Sequence, residues 1–133
     1  MGRIIAFVCL LAVLLTAGMA SAGSTAAPLS TVELKQVIGS GKQNTIVFFQ
    51  NPQGGPCRAQ KEILEKLHKA RKGNFNIANV STMKESDQRA FYEYGIRNLP
   101  SLILVDKNGN ISRVFPPGIQ DAETLATALD GVQ

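Results

Sequence analysis

The chain has 133 residues, with 14 Lys and Arg against 10 Asp and Glu, two cysteines and one histidine. That length suits one small domain with a single core and leaves no room for a second. The net charge of +4 comes from basic residues interspersed with acidic ones, as in Lys61-Glu62 and Glu65-Lys66, so it reads as a solvated surface and no nucleic-acid partner is expected.

Met1-Gly2-Arg3 is a short positive start, Ile4 to Leu15 is nearly unbroken apolar sequence, and a small-residue stretch ends in Ala20-Ser21-Ala22. This is the pattern of a cleavable export signal over residues 1–22, processed after Ala22. The apolar run is shorter than the roughly 20 residues of a spanning helix. An uncleaved N-terminal anchor is the alternative, and the well-formed cleavage pattern favours removal. The expectation is an exported protein, periplasmic or else secreted, with no membrane attachment after cleavage. Cys9 departs with the signal, so residues 23–133 carry Cys57 alone. A solitary thiol is notable in oxidising compartments, which favour paired cysteines.

Residues 23–29 are small and featureless, and a flexible lead-in is expected there, with the domain over 30–133. Ser30-Thr31-Val32-Glu33 has the form of a capping box with Ser30 as the cap. A short helix should follow through Ile38 and stop at Gly39 or Gly41. Thr45 to Phe49 is a β-branched and aromatic run that suits a strand buried on both faces. Pro56 fits the first residue of a helix, where its missing N–H is no loss. From there Ile63, Leu64, Leu67 and Ala70 repeat at helical spacing, with Glu62–Lys66 and Glu65–Lys69 as supporting i,i+4 pairs. Gly73 ends that helix.

Phe75 to Val80 alternates and reads as a second strand; Lys84 to Tyr94 reads as a helix ending at Gly95. Leu102 to Val105 and Ile111 to Phe115 form an antiparallel hairpin across Asp106-Lys107-Asn108-Gly109-Asn110. Asp121 caps a last helix carrying Leu125, Ala128 and Leu129. A βαβ crossover followed by a hairpin and a helix is an α/β arrangement, a mixed sheet flanked by helices.

The strand running into Gln53-Gly54-Gly55-Pro56-Cys57 and its helix resembles the redox turn of the thioredoxin family, usually Trp-Cys-Gly-Pro-Cys. Tyr94-Gly95-Ile96-Arg97-Asn98-Leu99-Pro100-Ser101 resembles the family's approach to its cis-proline, with Pro100 in that role. The Lys107-Asn108-Gly109 turn and Gly118 also fall where the family places them. The resemblance covers roughly Thr45 to Leu129 and implies a thioredoxin-like fold. It also implies that Pro100 is cis, presenting the Leu99 backbone beside Cys57 to an extended peptide. Without the family, an ordinary trans proline opening a strand is equally allowed. Residues 23–29 look too short for the extra first strand that many thioredoxins carry.

The departures matter as much. A CxxC dithiol works because one thiolate attacks and a second thiol resolves the mixed disulfide. Here the attacking position is Gly54, the Trp position is Gln53, and the family's buried acid falls at Phe48. A self-contained dithiol cycle is chemically unavailable. At most a monothiol oxidoreductase remains.

Cys57 stands one residue into the helix, where free amides favour a thiolate. The second cysteine of the motif normally lies behind the first, however, and burial opposes the charged form. A reactive monothiol and a structural buried thiol both stay open. His68 is no base for Cys57, lying about 16 Å further along the same helix at 1.5 Å per residue. No Cys/His cluster suggests a metal, and no cofactor is expected.

Two functions follow. In the first, a partner protein's thiol or disulfide is engaged through Cys57, with Gly54, Gly55 and Pro56 shaping the turn, Leu99 and Pro100 holding the partner backbone, and a Cys57-linked dimer as a variant. In the second, the chain is a non-catalytic peptide-binding module.

Overall fold

Alternation along two apolar strands sets the layers. In the strand Thr45–Gln50, every residue is buried. Ile46 and Phe48 point to one face, Val47 and Phe49 to the other, as successive side chains on a strand must. Ser101–Val105 is buried throughout in the same way. A strand apolar on both faces is stable only with cover on both, and four helices supply it.

The computed structural model describes residues 25–132; the expected export signal of residues 1–22 and Cys9 lie outside them. The order is β1 (Thr25–Ala26), α1 (Val32–Gly39), β2 (Thr45–Gln50), α2 (Gly55–Ala70), β3 (Asn76–Ser81), a 3₁₀ turn (Glu85–Asp87), α3 (Gln88–Glu93), β4 (Ser101–Val105), β5 (Asn110–Val114) and α4 (Ala122–Asp130). The sheet runs β1-β5-β4-β2-β3. Only β2 and β3 are parallel, and β4 and β5 are antiparallel to their neighbours.

Helices α2 and α4 cover one face, where Leu64, Leu67, Leu125 and Leu129 pack with Ile46, Phe48, Leu102 and Leu104. Helices α1 and α3 cover the other, where Leu34, Ile38 and Ala90 pack with Val47, Phe49, Ile103 and Val105. This is the expected α/β mixed sheet.

Several local expectations are corrected. Residues 23–29 are not all lead-in: Thr25 and Ala26 form β1, pairing antiparallel with Ile111 and Asn110 at the β5 edge. Ala27 is buried, and the half-buried Tyr94 donates its hydroxyl proton to the Pro28 carbonyl over 2.8 Å. Those anchors hold a segment that composition alone marks as loose. Thr31, not Ser30, caps α1, its Oγ1 accepting from the Leu34 amide. Glu33 does not reach back to the cap; its carboxylate accepts from the Asn79 amide instead. Along α2, the ion pair among the described residues is an exposed, long one between Lys61 and Glu65 rather than either expected pair. Such a contact contributes little.

Lys84 to Tyr94 is not one helix, because Asp87 turns its carboxylate onto the Ser81 amide and the 3₁₀ turn gives way to α3 only after it. Glu33 and Asp87 thus cap two amides of the edge strand β3, which protects an edge open to mispairing.

Asp87 is buried, so Asp87→Ala leaves the Ser81 amide without a partner. We expect a loss of about 1.5–3 kcal/mol, the usual range for a hydrogen bond to a charged group. Asp87→Asn, which keeps an acceptor, should lose less. Urea denaturation measures both. Tyr94 gives a second test. Burial, and then the nearby Glu93 charge, raise its pKa well above the usual tyrosine value. A raised folded-state pKa means stability that is intact below about pH 10 and lost as the pH climbs toward the folded-state value. Tyr94→Phe should cost about 1 kcal/mol at neutral pH and flatten the alkaline decline in urea midpoint.

Candidate functional site

The site forms where β2 ends and α2 begins. The chain turns at Asn51 to Gly54, held by the Gly54 amide on the Asn51 carbonyl at 2.9 Å and the Gln53 amide on Asn51 Oδ1 at 3.1 Å. Asn side chains close such turns readily, and this one aims the chain into α2. Gly54 is the N-cap, in ordinary extended backbone at φ −78° and ψ 133°, without a capping side chain. Helix α2 starts at Gly55, one residue before the expected Pro56 start, so Pro56 is its second residue and Cys57 its third; an amide in this first turn has no helical partner, so the missing N–H still costs nothing. The next residue, Cys57, is a free cysteine, buried at 3% exposure.

Gly54 lies directly before the thiol. A Cβ built on it would stand 3.7 Å from Cys57 Sγ and 3.3 Å from the Asn51 carbonyl oxygen. Besides Sγ, its nearest neighbours within 4 Å are the carbonyl oxygen and Cβ of Asn51, so a group placed there contacts the sulfur directly. Gly55 and Pro56 are exposed and shape the outer side of the turn. Phe48, at the family's acid position, is 1% exposed within the apolar layer under α2 and α4. No carboxylate is offered there.

Register brings a second wall to the same end of the sheet. Phe49 pairs with Ser101, so Leu99 and Pro100 lie level with the β2 exit. The Leu99–Pro100 peptide bond is cis. The Pro100 carbonyl accepts from the Gly118 amide at 3.0 Å. Gly118 has φ +111°, a conformation that side-chain-bearing residues rarely adopt, so this contact depends on glycine. His68 packs edge-on to Phe75, with centroids 5.2 Å apart, at the far end of α2 from Cys57.

Two residues escaped the sequence reading. For Asn51 the signal lies only in its type, a common turn former placed just after an apolar strand. Gln60 is fully buried in α2 and makes two hydrogen bonds to the Gln120 backbone. The only signal for Gln60 was a polar residue on the face that carries Cys57, Leu64 and Leu67.

With this geometry in hand, a family model described as a thioredoxin-like domain matches residues 31–133. The chain belongs to the thioredoxin-like family. It is 22% identical over 102 residues to a thioredoxin of Pyropia yezoensis, covering 77% of this chain and 92% of that one. The fold is shared with chloroplastic thioredoxin z (TM-score 0.66, 17% identity, 81% and 94% of the two chains). It is shared also with a mutant thioredoxin from Halobacterium salinarum (TM-score 0.65, 24% identity, 77% and 84%). This member is thus a thioredoxin-like thiol protein with one cysteine in its turn.

The space beside Gly54 gives a direct test. Position 54 has backbone that any L residue adopts, and the Asn51 carbonyl needs to give only a few tenths of an ångström. Gly54→Cys should therefore close an internal disulfide with Cys57 on mild oxidation. Thiol counting in denaturant should find no free thiol at either position after oxidation and two after reduction. Two thiols persisting after oxidation would show that the turn holds the sulfurs apart.

Proposed function

We propose that this protein binds an extended segment of a partner protein between the Gly54–Cys57 turn and the Leu99–Pro100 wall, and that the partner brings the second sulfur. The observation that carries this reading is the space left by the missing side chain of Gly54, whose Cβ would stand 3.7 Å from Cys57 Sγ. A partner sulfur in that space would stand where the family's attacking sulfur stands.

The chemistry is one exchange. The Cys57 thiolate attacks a partner disulfide, a Cys57–partner sulfur bond forms, the partner's own sulfur–sulfur bond breaks, and its other sulfur leaves as a thiolate with the electron pair. Release needs a second thiol, from the partner or from solution, to attack the partner sulfur, so that Cys57 leaves as thiolate. Gly54, Gly55 and Pro56 line the approach, and the Leu99 backbone offers strand-like hydrogen bonds. An exported location, periplasmic or secreted, fits the leader pattern of residues 1–22 and belongs to the same proposal. A direct Cys57–Cys57 dimer fits poorly: two thiols this deep cannot approach to the roughly 2 Å of a disulfide unless both turns move.

The 3% exposure of Cys57 favours a second reading, in which the thiol is structural and the groove only binds. Oxidised glutathione separates the two. Native protein should gain one glutathione by mass, at Cys57, and Cys57→Ser should gain none. An adduct that forms only in denaturant would remove the thiol role and leave a binding module.

A further inference from the structure

The strongest unexplained polar feature is Gln60. An amide side chain with no solvent contact is tolerated only when its hydrogen-bonding groups are met. Gln60 Nε2 donates to the Gln120 carbonyl at 3.0 Å, and Gln60 Oε1 accepts from the Gln120 amide at 2.6 Å. The side chain thus pairs with one residue's backbone as a neighbouring strand would. Gln120 in turn donates from Nε2 to the Pro116 carbonyl at 2.9 Å, closing residues 116–120 into a loop. Within that loop Gly118 donates to Pro100. A continuous chain of hydrogen bonds and short backbone links therefore runs from α2, one turn after Cys57, to the carbonyl of Pro100.

We propose that Gln60 is a positioning residue: it fixes the 116–120 loop and, through Gly118, holds the Pro100 wall at a set distance from the helix that carries Cys57. This rests on the groove reading above, and it assigns to one buried amide the width of the gap a partner backbone must fit. An apolar side chain would fill the same volume and add apolar burial, so core packing alone does not call for an amide here. The loop carries few apolar anchors of its own: Pro116, Pro117 and Ile119 are exposed. Without the Gln60 pair, Gly118 to Pro100 is the remaining tie between this loop and the groove.

The test follows the Gly118 amide by ¹⁵N-resolved NMR in wild type, Gln60→Leu and Gln60→Glu. In Gln60→Leu, Gly118 should shift, and its hydrogen exchange should quicken at least about tenfold beyond any change in the β2 and β4 amides. That selective loss marks uncoupling, whereas uniform quickening marks lost stability. Gln60→Glu supplies a readout that mere packing would not give. Its ionised carboxylate accepts from the Gln120 amide but cannot donate to the Gln120 carbonyl; protonated, it can do both. Its Gly118 resonance should move toward the wild-type position as the pH falls through the carboxylate range, while wild type shows no such titration.

An unmoved Gly118 in folded Gln60→Leu would overturn the proposal. So would a Gln60→Glu resonance that titrates no more than wild type, and this variant decides the matter if the leucine variant does not fold. Neither readout uses the thiol. Failure of Cys57 to react in all three proteins would strike the proposed function and leave the Gly118 result standing.

Discussion

Strand β2 lies between β3 and β4, buried along its whole length, and its register fixes where α2 can begin. Five apolar or β-branched residues with cover on both faces cannot slip by one position without exchanging the layers that Phe48 and Phe49 occupy. The chain therefore leaves the sheet at Gln50, turns on Asn51, and enters α2 with Cys57 on its inward face. The pairing of β4 with β2 brings Pro100 to the same end. The location of the site is a consequence of strand packing, and its chemistry is a consequence of what stands at position 54. There the chain has the hydrogen of Gly54 where the family's usual motif has a sulfur.

Depth governs what can meet Cys57. At 3% exposure the sulfur is reached only by a group that enters beside Gly54, whose Cβ position lies 3.7 Å from Sγ. In the proposed exchange a peptide disulfide does so, held by the groove while its sulfur approaches, and the product is a neutral disulfide that carries no charge to desolvate.

Much of the fold was legible because its determinants are local and periodic. The double-faced character of β2 and β4, the helix that opens around Pro56, the Asp121 cap and the hairpin around Gly109 were all written in spacing and turn chemistry. The side-chain ties to backbone groups beyond the next turn were not. Glu33 onto Asn79, Asp87 onto Ser81, Tyr94 onto Pro28 and Gln60 onto Gln120 join residues whose separation no local pattern encodes. Each commits a polar side chain to a backbone group outside its own helix. For that reason the capping box lost its glutamate and the expected helix over 84–94 broke at Asp87, while the supposed lead-in gained a strand. At the site, the motif located Cys57 and Gly54, but the depth of the thiol depends on the tertiary packing of α2 and could not be read from the turn.

The central claim is that one sulfur permits one exchange. Reduced protein, freed of small thiols, should be mixed with insulin while released insulin thiols are counted against protein. The account predicts that exchange stops at no more than one partner sulfur bonded per chain, and resumes only when a second thiol is added. Continued release over many equivalents without added thiol would contradict it.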